Sequence, residues 1–312
     1  MKLYIYPTDL NWFDFLAGQA GIDEVNFWQP GGKSVFSQLK PGELFLFRLK
    51  APINKIGGGG FFVHASVYPL NAAWDAFGVK NGTSDFYRFF RMIANYKKIT
   101  PPEKMPPDAP IGCIALAAPF FLPRNQWLDL PSDYSPYLVK GKSYDAGTGY
   151  GKELYERVLA AIPKPPRELF ERPSDIPASE MFGLPTLIKQ RIGQGGFRIL
   201  VTDLYDRRCS VTGERTLPVL EAAHILPVSR GGIHSPENGL LLRSDIHTLF
   251  DLGYVTIDPG HRFQVSPRLR DEWSNGKVYY DLHGTQLRLP KQTDMWPSPE
   301  FLERHNDEVF RG

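Results

Sequence analysis

The chain has 312 residues, 42% of them hydrophobic and 13% aromatic, and a net charge of only +2. That much apolar content builds real cores and excludes a disordered chain, and the length calls for one very large domain or two ordinary ones. The near-neutral balance excludes binding of polyanions by bulk charge, so any basic surface must be local. The 28 prolines and 29 glycines favour many short elements over long helices. Two isolated cysteines, Cys113 and Cys209, make neither a disulfide framework nor a four-cysteine zinc site. They fit a reducing compartment, so a cytoplasmic protein is expected. The start, MKLYIYPTDLNWFDF, has no apolar signal core, and no apolar run reaches the roughly 18 residues of a membrane span.

Residues 1–140 read as mixed, strand-rich structure. A β-prone run at 3–7 precedes a short helix over 9–18 with Trp12, Phe13 and Phe15 near one side. An aromatic strand end at 24–32 closes on Pro-Gly-Gly, and Pro41-Gly42 turns into the strand LFLFRL. Four glycines, 57–60, lead into a strand that runs to about 70. A phosphate loop is excluded: the positions that would need its first glycine, five before the Gly of each GKS, hold Phe27 and Pro136. The glycines instead let backbone pass close to a neighbour or turn sharply. Helices are expected over 71–78 and 84–98, and a buried strand over 111–122 that enters a loop carrying Trp127. A helix over 152–162 then leads into PKPPRELFERPSDIP, too rich in proline for a regular core. The expected organisation is an α+β chain with a first domain over 1–150, a helical and proline-rich linker over 151–185, and a second domain over 186–312.

The second domain opens with a helical stretch, 186–216, carrying Lys189, Arg191, Arg198, Arg207, Arg208 and Arg215 against Asp203, Asp206 and Glu214. Its local positive excess suits phosphate contact, with Arg191, Arg198 and Arg208 as the candidates; a merely solvated helix face is the plainer alternative. The stretch 209–258 then concentrates reactive groups among turn signals. VLEAAHILPV reads as a strand with His224, HSPENGLLL as a loop and second strand with Asn238, and RSDIHTLFDLG as a short helix with His247 and Asp251 four apart on one face. A hairpin beside a helix can hold one divalent cation opposite a histidine. Phosphodiester hydrolysis needs such a pair: a base to deprotonate water, and a cation to neutralise the charge that builds at phosphorus. Imidazole suits the base because it titrates near neutrality. His224 is then the base, His247 and Asp251 metal ligands, and Asn238 a residue that fixes the hairpin loop or orients His224. His234 and His261 are taken as ordinary residues, His234 being in reach of phosphate.

AAHI, NGLLL and IHTLFD at these spacings closely resemble the HNH (ββα-metal) endonucleases, especially a bacterial group of restriction enzymes, and GQGGFR and YDRRCSVTGE resemble that group's lead-in. The resemblance covers about 190–260. The nine-residue step from Asn238 to His247 and the four-residue step to Asp251 resemble the colicin-type DNases, in which the last two positions bind metal. It implies catalytic roles for His224, Asn238 and His247, and a divalent cation (Mg2+, Mn2+, Co2+ or Ni2+). There is one departure. The residue before the base, often an Asp or His ligand in this superfamily, is Ala223. Glu221, two residues back on the same strand face, or Asp251 is left to fill that place.

An HNH module selects sequence poorly, so the first domain is expected to target it. Its strand pattern resembles the β-barrel of the PUA superfamily, the group of EVE, ASCH, YTH and SRA modules. That implies a sensor for a modified base flipped out of double-stranded DNA, stacked on aromatic side chains. Among Phe27, Trp28, Tyr68, Trp74 and Trp127, with Pro30 as a flat wall, Trp28 beside its Pro-Gly turn is the leading candidate, and Trp74 reads as core. The resulting expectation is a modification-dependent restriction endonuclease, with a homodimer suited to double-strand cuts. Two alternatives stand beside it: an HNH nuclease targeted by DNA sequence or a partner protein, and a nucleic-acid-binding protein with a degenerate HNH domain.

Overall fold

The computed structural model describes residues 1–135, 137–138, 140–162 and 192–312. The proline-rich linker expected beyond 162, and Arg191, lie outside these described residues. The chain divides into two compact units, Met1–Gly196 and Phe197–Gly312.

In the first unit the described residues form a mixed sheet of seven strands. They are β1 (Lys2–Thr8), β2 (Glu24–Gln29), β3 (Leu44–Leu49), β4 (Lys55–Pro69), β5 (Pro110–Phe121), β6 (Leu128–Asp129) and β7 (Lys142–Asp145), ordered β2-β5-β4-β3-β1-β7 with β6 against the start of β4. β1 and β3 run parallel; the other pairs are antiparallel. The LFLFRL run of β3 is buried throughout because both faces of the sheet are covered. Alternation sends Phe45, Phe47 and Leu49 to one side, where Trp12, Phe13 and Leu16 of α1 (Leu10–Ala17) pack. Leu44 and Leu46 go to the other, against Leu154 and Val158 of α4 (Gly149–Ala161). Between β4 and β5 lie α2 (Leu70–Phe77) and α3 (Phe86–Tyr96).

The expected closed barrel is not seen among the described residues. The edge strands β2 and β7 each pair on one side only among the described residues, so the sheet is open. The glycine run sits inside β4 rather than before it. A Cβ on Gly58 would lie 2.2 Å from the carbonyl oxygen of Phe120, so the close approach of β4 to β5 requires glycine there.

The second unit contains most of α5 (Gln194–Leu204), the hairpin of β8 (Leu220–His224) and β9 (Gly239–Arg243), and α6 (Ser244–Asp251). A second hairpin, β10 (Val255–Ile257) with β11 (Phe263–Val265), follows. Three helices complete it: α7 (Arg268–Trp273), α8 (Lys277–Tyr280) and α9 (Pro299–Glu308). Buried His305 ties α9 inward. Its Nδ1 meets the Thr256 hydroxyl at 2.8 Å, its Nε2 the Phe250 carbonyl at 3.1 Å, and its ring stacks on Phe250 at 3.7 Å.

Candidate active site

The β8–β9 hairpin pairs in register from Leu220 opposite Arg243 to His224 opposite Gly239. Leu220 and Ala223 are buried, along with all three consecutive leucines of β9, so both faces of the hairpin are covered, and α6 follows β9 without a loop. A bidentate ion pair from the end of β9 to the first turn of α6, Arg243 to Asp245 at 2.6 and 2.7 Å, fixes that junction and holds the Asp245 carboxyl below its ordinary range. The long connection between the strands is closed by Asn238, which is fully buried. Its Oδ1 accepts from Leu226 N–H at 2.8 Å, and its Nδ2 donates to the carbonyls of Leu226 and Ile233, each at 2.9 Å. Gly232 is wedged under the same clamp: a Cβ there would fall 1.9 Å from the Leu226 carbonyl oxygen.

This scaffold brings Glu221, His247 and Asp251 together. His247 Nδ1–H donates to Glu221 Oε2 at 2.6 Å, and His247 Nε2 lies 3.5 Å from Asp251 Oδ2. A carboxylate on Nδ1 sets the imidazole tautomer, which leaves the Nε2 lone pair beside Asp251. Burial raises the Asp251 carboxyl; the charge of His247 opposes this and that of Glu221 adds to it. Ala223 contributes only a buried methyl to the interior. Among the described residues no group of three or more His, Cys, Asp or Glu converges as a set of metal ligands.

His224, at the end of the same hairpin, lies face to face with Phe197 of α5 at 4.1 Å and 8°. Its Nε2 is 2.9 Å from Nδ1 of His234. Burial, and after it the charges of His234 and His247, lower the His224 imidazole to about 4, so it is neutral at physiological pH. Sequence reasoning missed this pairing: nothing in the ten-residue spacing of the two histidines marks it, because loop closure at Asn238 creates it. His261 packs on Trp296 and bonds the Pro297 carbonyl. Of the phosphate candidates, Arg198 and Arg208 are half-buried, and Arg208 Nε is buried without a hydrogen-bond partner.

The first unit holds a cavity of about 280 Å3 lined by Phe27, Trp28 and Pro30. Trp127 is not among its walls; it packs on Phe13 and donates its indole N–H to Leu122. Tyr68 is buried in the core and Trp74 packs against Phe89 and Phe86. Tyr6, Trp12 and Tyr96 complete the aromatic lining. The Trp28 indole N–H bonds the Asn81 carbonyl at 2.9 Å, and its ring meets Tyr96 edge-on at 5.5 Å. A polar rim is made by Asp9, which pairs with Lys50 at 2.6 Å and accepts the Tyr96 hydroxyl. Burial, then the bond to Asp9, pushes the Tyr96 phenol well above its ordinary value. The strand pattern pointed to Phe27 and Trp28; Tyr96 could not be placed because it comes from the far end of α3.

Comparison with known proteins identifies part of the chain. Residues 209–258 match the family model described as HNH endonuclease, so the second unit carries an HNH endonuclease domain. The solved structures similar to this chain include the ASCH protein of Zymomonas mobilis, with a TM-score of 0.36 and 8% identity over 52% of this chain and 96% of that one. They also include the modification-dependent restriction endonuclease TagI, with a TM-score of 0.30 and 12% identity over 97% of this chain and 81% of that one. Both scores lie below the level from which a shared fold follows. No curated protein matches the chain. No described helix is long and apolar enough to cross a membrane.

Proposed function

We propose that the chain is a modification-dependent DNA endonuclease. In this reading the HNH domain hydrolyses phosphodiester bonds with a divalent cation, and the aromatic cavity of the first unit, as a PUA-like sensor, takes a flipped, modified base from double-stranded DNA. The observation that carries the reading is that His224 ends the hairpin and His247 lies beside Asp251 on the helix that follows it, inside the stretch that matches the HNH endonucleases.

His224 is the general base. Neutral at working pH, it takes a proton from water as the water oxygen bonds to phosphorus; the scissile P–O bond breaks, and the leaving oxygen is protonated from solvent. His247 Nε2 and Asp251 would hold the cation, with Glu221 orienting His247. The donor chemistry fits: one imidazole nitrogen and one carboxylate, completed by water and phosphate oxygens, suit Mg2+, Mn2+, Co2+ or Ni2+. When bound, such a cation neutralises charge building on the phosphoryl oxygens. Asn238 holds the base's loop, and Arg198 and Arg208, with Arg191, would contact flanking phosphates. Two copies of the chain would serve the two strands. In the first unit, Trp28, Phe27 and Pro30 would stack a flipped base, at roughly 1–3 kcal/mol per base.

Ala223 and the two-donor cation set favour one competing reading, a DNA-binding protein whose HNH domain no longer cuts. Cleavage of unmodified and cytosine-modified phage DNA, each with Mg2+, Mn2+, Co2+ or Ni2+, separates them. The proposal expects cutting of the modified DNA, reduced about 5- to 150-fold at limiting protein by Trp28→Ala. Equal cutting of both DNAs would remove the sensor and leave a nuclease targeted by sequence or a partner; no cutting with any metal would favour the binding protein.

A further inference from the structure

We propose that His234 is the positioning residue of the general base: it accepts the Nε2–H of His224, so that Nδ1 of His224 is the atom that takes the proton from water. This rests on the nuclease reading above.

Three observations carry it. First, the two nitrogens of His224 differ. Nε2 is engaged with His234 Nδ1 at 2.9 Å, while Nδ1 has no hydrogen-bond partner among the described residues. A base needs one nitrogen open to water, and the other held so that the correct tautomer faces it. Second, the ring of His224 is fixed in direction by the parallel Phe197 face, and His234 meets both rings, at 4.8 Å from His224 and 5.6 Å from Phe197. Third, the loop is built to deliver His234. Asn238 clamps the Leu226 backbone, two residues after His224, and the Ile233 carbonyl, one residue before His234. Gly232 admits no side chain under that clamp. The motif asparagine thereby sets the spacing of the two imidazoles.

The chemistry follows from the change of charge. In the resting state a neutral N–H donates to a neutral nitrogen, an ordinary bond. When water gives its proton to His224 Nδ1, one O–H bond breaks, one N–H bond forms, and the buried ring becomes a cation. Its Nε2–H···Nδ1 bond then becomes charge-assisted and about twice as strong. His234 therefore stabilises the reacting state more than the resting one, which is the requirement for a contribution to rate rather than to binding.

The test uses the full chain, uniformly 15N-labelled. Long-range 1H–15N spectra at neutral pH, assigned with His224→Ala and His234→Ala, are expected to give His224 with Nε2 protonated and Nδ1 bare. His234→Ala mixes the two tautomers, whereas His234→Asn, whose side-chain oxygen stands where Nδ1 was, restores the Nε2–H form. In nicking of supercoiled, cytosine-modified plasmid with Mn2+, His234→Ala lowers kcat about 10- to 100-fold, the range for residues that orient a site's first contacts, and His234→Asn recovers most of it. KM stays within about twofold, since ground-state binding is untouched. A His224 protonated on Nδ1 in the wild type, or wild-type kcat in His234→Ala, would overturn the proposal. If the wild type fails to nick with every metal tried, the nuclease reading fails, and the spectra still decide whether His234 sets the His224 tautomer.

Discussion

The second unit contains two histidines built almost alike and used differently. His224 and His305 each lie parallel to a phenylalanine ring, at 4.1 Å and 8° on Phe197 and at 3.7 Å and 10° on Phe250. Burial lowers both imidazoles to about 4. The difference is in their nitrogens. Both nitrogens of His305 are engaged within the fold, by Thr256 and by the Phe250 carbonyl. His224 spends one nitrogen on His234, and the other has no hydrogen-bond partner among the described residues. Neither an aromatic stack nor a depressed proton affinity therefore identifies a catalytic histidine; an uncommitted nitrogen does.

The comparison can be broken by substitution. His305→Ala strands the Thr256 hydroxyl and the Phe250 carbonyl in a buried setting and removes a stacked ring, so it is expected to cost the second unit roughly 2–4 kcal/mol in urea unfolding. His224→Ala, at a half-buried position, is expected to cost about 1 kcal/mol or less by the same measurement. Equal losses would mean that His224 is a packing residue like its counterpart. A smaller effect concerns pH. His305 has its proton affinity depressed in the folded state, so the unfolded chain takes up the proton first as pH falls below the ordinary value near 6.5. The stability owed to neutral His305 is complete above that value and is lost as pH falls towards about 4. His305→Gln should flatten the pH dependence of unfolding in that window; an unchanged slope would mean that His305 is not the group titrating.

Much of this was legible in the sequence, and the exceptions have physical causes. The β-rich composition of LFLFRL and the four-residue step from His247 to Asp251 report their own elements, since both are local. The HNH stretch was legible for the same reason: its strands, loop and helix are contiguous. The closed barrel is not seen, because strand composition reports each strand by itself and not how the edge strands β2 and β7, far apart in the chain, are paired. Trp127 read as a pocket wall because it sits in a turn-rich loop, yet its indole N–H is spent on Leu122. Tyr96 and Asp9 of the cavity rim are 87 residues apart and meet only in the fold. His234 was passed over because its partner is chosen by the Asn238 clamp.

The central claim, that His224 is the base of a metal-dependent nuclease, is tested most directly by single-turnover nicking of supercoiled, cytosine-modified plasmid with Mn2+ by wild type, His224→Ala and His305→Gln at matched concentrations of folded protein. The account predicts a loss of about 100- to 10,000-fold for His224→Ala, the usual contribution of a general base, and near wild-type rates for His305→Gln. Nicking by His224→Ala at the wild-type rate would contradict it.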